Sequence, residues 1–396
     1  MKNFWCKSKN WLLIIGLLGL MVLPRFTALS QYLIVDEPDR WRWANDFILA
    51  LSRGDLASTL VGDGYPGIVP VWAESLWILL EAGRRSLLEG QWIGDAGLGY
   101  LLHEWSRTEF VYQQRLPIVL LNTGLALAIV AAVWRLFGKR AALIGGVLIA
   151  LDPFYLSDSR VNRAEALITG LMTLSMLFLI FYDRKRQWRY VILSGIFGGL
   201  SFLTKIQALA MLPVVAMVGL MIYWPFKRQA DESAPPLPQT LLLIVKFGVI
   251  WAASAVAVWV ILWPAMWVTP LETLTLVFNY TTRKVGAEGV NLFFMGQTYQ
   301  DTDPGLLFYP VVLLMRLTPP ALIGLLAFIG VRLVGSKFQP TARRDRSRGV
   351  FVLVVYILLY SLIMTIGSHK QDRYLLPIFL SLDILAAIGL VQLTNF

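Results

Sequence analysis

A 396-residue chain that is 57% apolar and only 15% charged carries too little charge for an ordinary soluble domain and too much apolar surface for a disordered one. Its single cysteine, Cys6, excludes an internal disulfide framework, and two histidines, His103 and His369, leave little for histidine–metal chemistry. A mean hydropathy of +0.63 with a net charge of +10 suits a chain solvated mainly by lipid, its cations gathered in loops.

In chain order, the first apolar run extends from Trp11 to Leu23 and on past Pro24 and Arg25 to about Leu29, preceded by Lys2, Lys7 and Lys9. No small-x-small cleavage site follows, so it reads as an uncleaved first span with its N-terminus inside. Nine further spans are expected at roughly 116–137, 141–156, 166–182, 190–204, 206–224, 240–263, 311–333, 350–367 and 375–393. These runs are uniformly apolar, without the ten-residue alternation of a barrel. The fold class expected is therefore an all-α polytopic bundle of about ten transmembrane helices. Residues 1–396 read as one transmembrane domain, with long outer segments at 30–115 and 264–304.

Charge orients this bundle. With the N-terminus inside, the inner loops hold 18 cations, from Lys2 through Arg135, Arg184 and Lys227 to Arg348, against four acids: Asp183, Asp231, Glu232 and Asp345. Twenty of the 25 acids fall outside. This is the positive-inside pattern of a cytoplasmic membrane protein, and it accounts for the basic balance without nucleic acid. The inner loops carry no Walker or Rossmann glycine pattern, so chemistry is expected on the outer face. His103-Glu104 lacks the second histidine of a zinc protease.

The first outer segment opens Val35-Asp36-Glu37-Pro38-Asp39-Arg40-Trp41. Trp41, Ala44, Phe47, Ile48 and Leu51 recur at helical spacing, ending near Gly54, with Pro38 in the first turn and Glu37 pushed toward an extended conformation. Asp36 and Glu37 thus sit at a helix N-terminus as the chain leaves the bilayer, either as capping groups or as functional acids. After Tyr65-Pro66-Gly67, a helix from about Pro70 to Leu88 places Trp72, Leu76, Leu79, Gly83 and Leu87 on one stripe. It reads as an interfacial helix, with Arg84 and Arg85 able to pair with Glu81.

Three short outer turns hold cations. Arg160 and Arg163 lie one helical turn apart with Glu165 beside them. Lys205 stands between two spans, and His369, Lys370, Asp372, Arg373 and Tyr374 crowd the last outer turn. Arginine forks suit phosphate, although snorkelling or mutual ion pairing explains such edge charges equally well.

The order of these motifs resembles the GT-C glycosyltransferases, in particular the bacterial family 39, ArnT-like and protein O-mannosyltransferase group. The resemblance rests on the acidic pair after the first span, Asp152-Pro153 through Arg163-Ala164-Glu165, Gly198-Gly199-Leu200 with Leu203-Thr204-Lys205 and Pro213, and Lys370, Arg373, Tyr374 and Pro377. Glu165 stands where relatives often carry aspartate. The resemblance implies a GT-C-like bundle that transfers a sugar, with inversion, from a polyprenyl-phosphate donor to a hydroxyl of a lipid, glycan or protein acceptor. Asp36 would be the base, with Glu37 its neighbour in the motif. Arg160, Arg163, Lys205, Lys370 and Arg373 would face the donor phosphate, and Glu165, Tyr65 and Tyr374 would contact or support the acceptor. A divalent ion on Asp36 would be compatible with this scheme, but the sequence requires none. A flippase of lipid-linked saccharides is the rival reading; it calls for ionisable groups at mid-membrane, whereas most charges here lie at span ends.

Overall fold

The computed structural model describes residues 2–89, 111–224, 236–285, 291–334 and 344–394. His103 and Glu104, the inner-loop residues Lys227, Arg228, Asp231 and Glu232, and Lys337 and Arg343 lie outside them. In a bilayer each backbone polar group must be satisfied within its own segment, and the chain is accordingly helical nearly throughout. Helix α1 spans Lys2–Phe26, α2 Glu37–Ser52, α3 Ile68–Glu89, α4 Val111–Phe137, α5 Lys139–Leu151, α6 Pro153–Ser159, α7 Ala164–Lys185 and α8 Arg189–Thr204. A 3-10 turn, Ile206–Ala210, leads into α9, Met211–Tyr223, followed by α10, Leu237–Leu262, and α11, Pro270–Val285. An antiparallel hairpin pairs β1, Asn291–Phe294, with β2, Gln297–Gln300. Then come α12, Phe308–Arg316, α13, Pro319–Val334, α14, Arg344–Ile366, and a 3-10 turn, Asp372–Ile378, that runs into α15, Phe379–Leu393.

All ten expected spans are helical, but not all are single straight crossings. Among the described residues, six helices are long and apolar enough to cross a membrane. The expected span 141–156 is the bent pair α5–α6, with a 64° angle at Asp152-Pro153. Proline donates no hydrogen bond, and the Asp152 carboxylate starts the new helix by accepting from the Phe154 and Tyr155 amides at 2.8 and 2.9 Å. The expected span 311–333 is broken more sharply. α12 and α13 meet at 111°, because Pro319 and Pro320 cannot continue the ladder from Arg316. The apolar part of α1, Leu12–Phe26, and α8 are shorter than the six.

The bundle is centred on α7 and α15, which are buried along most of their length, whereas α10 lies at the periphery. α13 crosses α15 at backbone distance. A Cβ added to Gly389 would overlap the Gly324 carbonyl and lie 2.6 Å from the Phe328 amide nitrogen. Without a hydrophobic drive between helices in lipid, such close small-residue packing supplies much of the association energy.

The two long segments between the apolar runs bring their own helices. α2 ends at Ser52, just before Gly54, which adopts φ +70°, and α3 leaves Leu76, Leu79, Leu80 and Leu87 exposed. Glu81 pairs with Arg84 at 2.7 Å and with Arg85 at 3.1 Å, as the spacing predicts. Glu37 is the first residue of α2 rather than an extended lead-in.

A charged cavity where four helix ends meet

The two central helices, α7 and α15, meet α2 and α8 at one end of the bundle. Asp36 precedes α2, Glu165 lies in the first turn of α7, Lys205 ends α8, and Arg373 and Tyr374 stand in the turn before α15. Together with α14 and α11 they enclose a cavity of about 720 Å³. Its charged lining consists of Asp36, Asp39 and Glu165 opposed by Arg40, Lys205 and Arg373, so it is formally balanced. The remaining wall is largely apolar, with Ile206, Leu209, Ile363 and Ile366.

The charges form a chain. Arg373 donates Nη1 to Asp36 Oδ2 at 2.9 Å, and its Nε lies 3.1 Å from Glu165 Oε1. Arg163 Nε approaches the same Asp36 oxygen at 3.3 Å. Lys205 Nζ donates to Glu165 Oε1 at 2.6 Å and lies 4.8 Å from the Tyr374 ring centroid. Asp36 is at the N-cap position of α2, but its side chain accepts no capping hydrogen bond. Its carboxylate is turned instead to cations more than a hundred residues away in sequence, with 36% of the side chain exposed. Burial raises the Asp36 carboxyl, but Arg373 and then Arg163 outweigh it and hold the group below its ordinary value.

The structure separates the acidic pair. Glu37 is fully buried and faces away from the cavity. Oε1 accepts from Arg115 Nε at 2.7 Å and the Asn162 amide at 2.9 Å, and Oε2 accepts from Arg115 Nη2 at 2.7 Å and the Ile34 amide at 3.0 Å. Four donors saturate this carboxylate and fix the start of α2 to α4 and to the turn after α6. The predicted cations divide as well. Lys205 and Arg373 line the cavity, and Arg163 reaches Asp36 from its edge. Arg160 does not line it and donates to the Thr27 carbonyl. Lys370 is buried 2.5 Å from Asp303, which also accepts from the Gly305 amide; that pair pins the stretch after β2 beside the site.

Several lining residues escaped the sequence reading. Arg40, four residues after Asp36, donates Nη2 to the Tyr65 hydroxyl at 2.8 Å and lies 4.9 Å from the Trp43 ring centroid. Its helical spacing from Asp36 was a usable signal. Gly67 permits this approach, since a Cβ there would sit 2.5 Å from the Tyr65 ring and 2.7 Å from Arg40 Nη1. Tyr280 arrives from α11 and packs edge-on against Tyr65 at 5.5 Å, a contact no local pattern announces. Behind Arg40, the carboxylate of Glu74 is 2% exposed and faces Asn162 and Arg40. Burial pushes its carboxyl well above the ordinary range.

The donor set does not match a metal cage. Among the described residues no three histidine, cysteine or acidic side chains converge. The two central carboxylates are already held by guanidinium and ammonium groups, whereas a divalent cation asks for several free oxygens.

Residues 109–261 match the family model described as dolichyl-phosphate-mannose-protein mannosyltransferase. That segment contains Arg163, Glu165 and Lys205 but neither Asp36 nor Arg373. Comparison with curated protein sequences gives no significant match. Among solved structures, ArnT from Cupriavidus metallidurans in the apo state superposes with a TM-score of 0.57 at 17% identity, over 98% of this chain and 60% of ArnT. The same protein bound to undecaprenyl phosphate gives 0.57 at 16%, over 97% and 61%. AglB, the oligosaccharyltransferase of Archaeoglobus fulgidus, solved with an inhibitory peptide and a dolichol-phosphate, gives 0.53 at 13%, over 100% and 51%. The chain therefore spans about three fifths of ArnT and half of AglB. Its fold is the GT-C-like fold shared with ArnT and AglB, as the motif order predicted.

Proposed function

We propose that this cavity is the active site of a glycosyltransferase. It moves a sugar from a polyprenyl-phosphate donor to a hydroxyl acceptor on a lipid, glycan or protein, at the outer face of the cytoplasmic membrane. The observation that carries the reading is the pairing of Asp36 and Glu165 with Arg373, Arg163 and Lys205 around one half-apolar chamber. An amphiphile fits such a lining, its phosphate against the cations and its prenyl chain against Ile206, Leu209, Ile363 and Ile366. The family match and the shared fold support the same class of donor, since the ArnT and AglB structures hold undecaprenyl phosphate and dolichol-phosphate. The positive-inside charge pattern supports the outer-face placement.

In this reading the unliganded site is self-neutralised. An incoming phosphate competes with Asp36 for Arg373 and Arg163, which frees Asp36 to act as a base. The acceptor oxygen then attacks the anomeric carbon on the face opposite the phosphate, and Asp36 takes the hydroxyl proton as the new carbon–oxygen bond forms. The old carbon–oxygen bond breaks with its electron pair going to the polyprenyl phosphate, whose growing charge Arg373 and Lys205 meet. Glu165 holds those two cations in place. No step is routed through a metal.

The test is incubation of the purified protein with a panel of polyprenyl-phosphate sugars and hydroxyl acceptors, read by mass spectrometry. A glycosylated product that appears with wild type and vanishes with Asp36→Asn is expected. Movement of lipid-linked saccharide across vesicles with no transfer product from any donor would replace the reading with transport.

A further inference from the structure

At the end of α7 remote from Glu165 there is a second group of cations and aromatic rings. Arg186 follows Glu165 by 21 positions along this helix and its cap, so the group lies about 30 Å from the cavity, at the opposite end of the bundle. Arg186 ends α7 with φ +53°, a left-handed conformation that a non-glycine residue rarely adopts. The turn carries its guanidinium to 5.9 Å from the Tyr223 ring centroid, while Nη2 keeps Asp183 at 3.1 Å. Two residues on, Trp188 receives the ammonium of Lys246 at 4.9 Å. The rings are continuous between the two cations, with Trp188 5.2 Å from Tyr182, and Tyr182 6.5 Å from Tyr223.

Lys246 is the unusual member. It is the tenth residue of α10, about 14 Å along the peripheral helix, on a surface where Leu242, Val245 and Val249 are exposed. Among the described residues no carboxylate lies within ion-pair distance of it. A cation on a lipid-facing surface is expensive unless it reaches the interface and an anion there. Aromatic rings with a cation at each end, at headgroup level, form the chemistry that holds a lipid phosphate.

The geometry points to a binding site for the phosphate of an anionic lipid on the surface where the α7–α8 turn meets α10, held by Lys246 and Arg186 beside Trp188 and Tyr223. The site is separate from the cavity and does not depend on the transfer reaction. Lys246 supplies a compact charge at the depth of the phosphate, and Arg186 a second cation from the loop side. Trp188 and Tyr223, each partly exposed, offer ring surface to the glycerol or first prenyl carbons, whereas Tyr182 is buried behind them against Phe247. Two sources offer this chemistry, bulk anionic phospholipid and polyprenyl phosphate.

The experiment is native mass spectrometry of the full-length protein, with phosphatidylglycerol, undecaprenyl phosphate or phosphatidylcholine titrated into detergent. Wild type is expected to retain one of the two anionic lipids well above phosphatidylcholine. With about fivefold per interfacial cation, Lys246→Gln should weaken that retention about fivefold, and Lys246→Gln with Arg186→Gln about 25-fold. Lys246 is exposed, so its variant should fold, and unchanged thermal unfolding in detergent checks this. The cavity is expected to bind undecaprenyl phosphate as well, so only the component lost in Lys246→Gln counts for this site. A Lys246-dependent preference for undecaprenyl phosphate names the donor lipid as occupant, and a preference for phosphatidylglycerol names the bulk lipid. Equal retention of phosphatidylcholine, or anionic retention unchanged in both variants, overturns the inference.

Discussion

Replacing Asp36 by asparagine keeps the shape of the side chain and removes its charge and basicity. The carboxylate is 36% exposed, and its partners Arg373 and Arg163 are themselves partly exposed, so solvent screens the pairing. Its loss should cost no more than about 1 kcal/mol of stability. The rate should respond far more, since a positioned general base is worth about 10²- to 10⁴-fold. Donor binding should hold or tighten, because Arg373 and Arg163 lose a competitor for the phosphate. The signature is thus a fall in kcat of at least a hundredfold with donor KM unchanged or lower, and unfolding within a few degrees of wild type. The assay is product formation by mass spectrometry across donor concentrations, alongside thermal unfolding in the same detergent. Because Arg373 and Arg163 hold Asp36 below its ordinary value in the unliganded site, kcat/KM, which reports the free enzyme, should not fall from loss of this base until the pH drops below the usual carboxylate range. The stability from this group follows the same sign, being present above the unfolded value and lost as pH falls through the lower folded one. An Asp36→Asn protein that keeps a third or more of wild-type kcat would refute the role of Asp36 as base.

Breaking the buried Glu37–Arg115 pair should be more damaging to folding than to any one chemical step. Glu37→Gln is expected to lower stability by about 3–5 kcal/mol, with Glu37→Leu/Arg115→Met recovering part of it, as read by thermal unfolding and yield of monodisperse protein. Glu74→Gln should raise the unfolding temperature at pH 8. Burial lifts the Glu74 carboxyl, so the folded chain takes its proton before the unfolded one, and wild-type stability rises as pH falls through the folded value. The advantage of the glutamine should therefore shrink toward pH 5, and an advantage that grows there would contradict the assignment. Gly389→Ala should part α13 from α15 and cost about 1–3 kcal/mol, whereas Gly330→Ala, where an added Cβ meets nothing within 4 Å, should be neutral in the same melt.

Much of this protein is legible in one dimension. Apolar runs near twenty residues dictate helices, because lipid offers no partner to an open backbone, and the asymmetry of the loop charges predicts an orientation. The helix after Asp36 and the helix after Gly67 follow from spacing and form where expected. The breaks at Asp152-Pro153 and Pro319-Pro320 carried a signal in their prolines, but hydropathy averaged over a window smooths such interruptions away.

The composition of the site was another matter. Asp36 and Glu37 are neighbours with the same charge at the same helix start, and nothing local separates them. Only packing sends Glu37 inward to Arg115 and turns Asp36 out to Arg373, 337 residues along the chain. By the same means Lys370 goes to Asp303 while Arg373, three residues on, reaches the cavity. Sequence period fixes which face of a helix meets lipid, because that choice is made residue by residue by a uniform solvent. Which charge meets which is fixed by distances between helix ends, and these exist only once the bundle has closed.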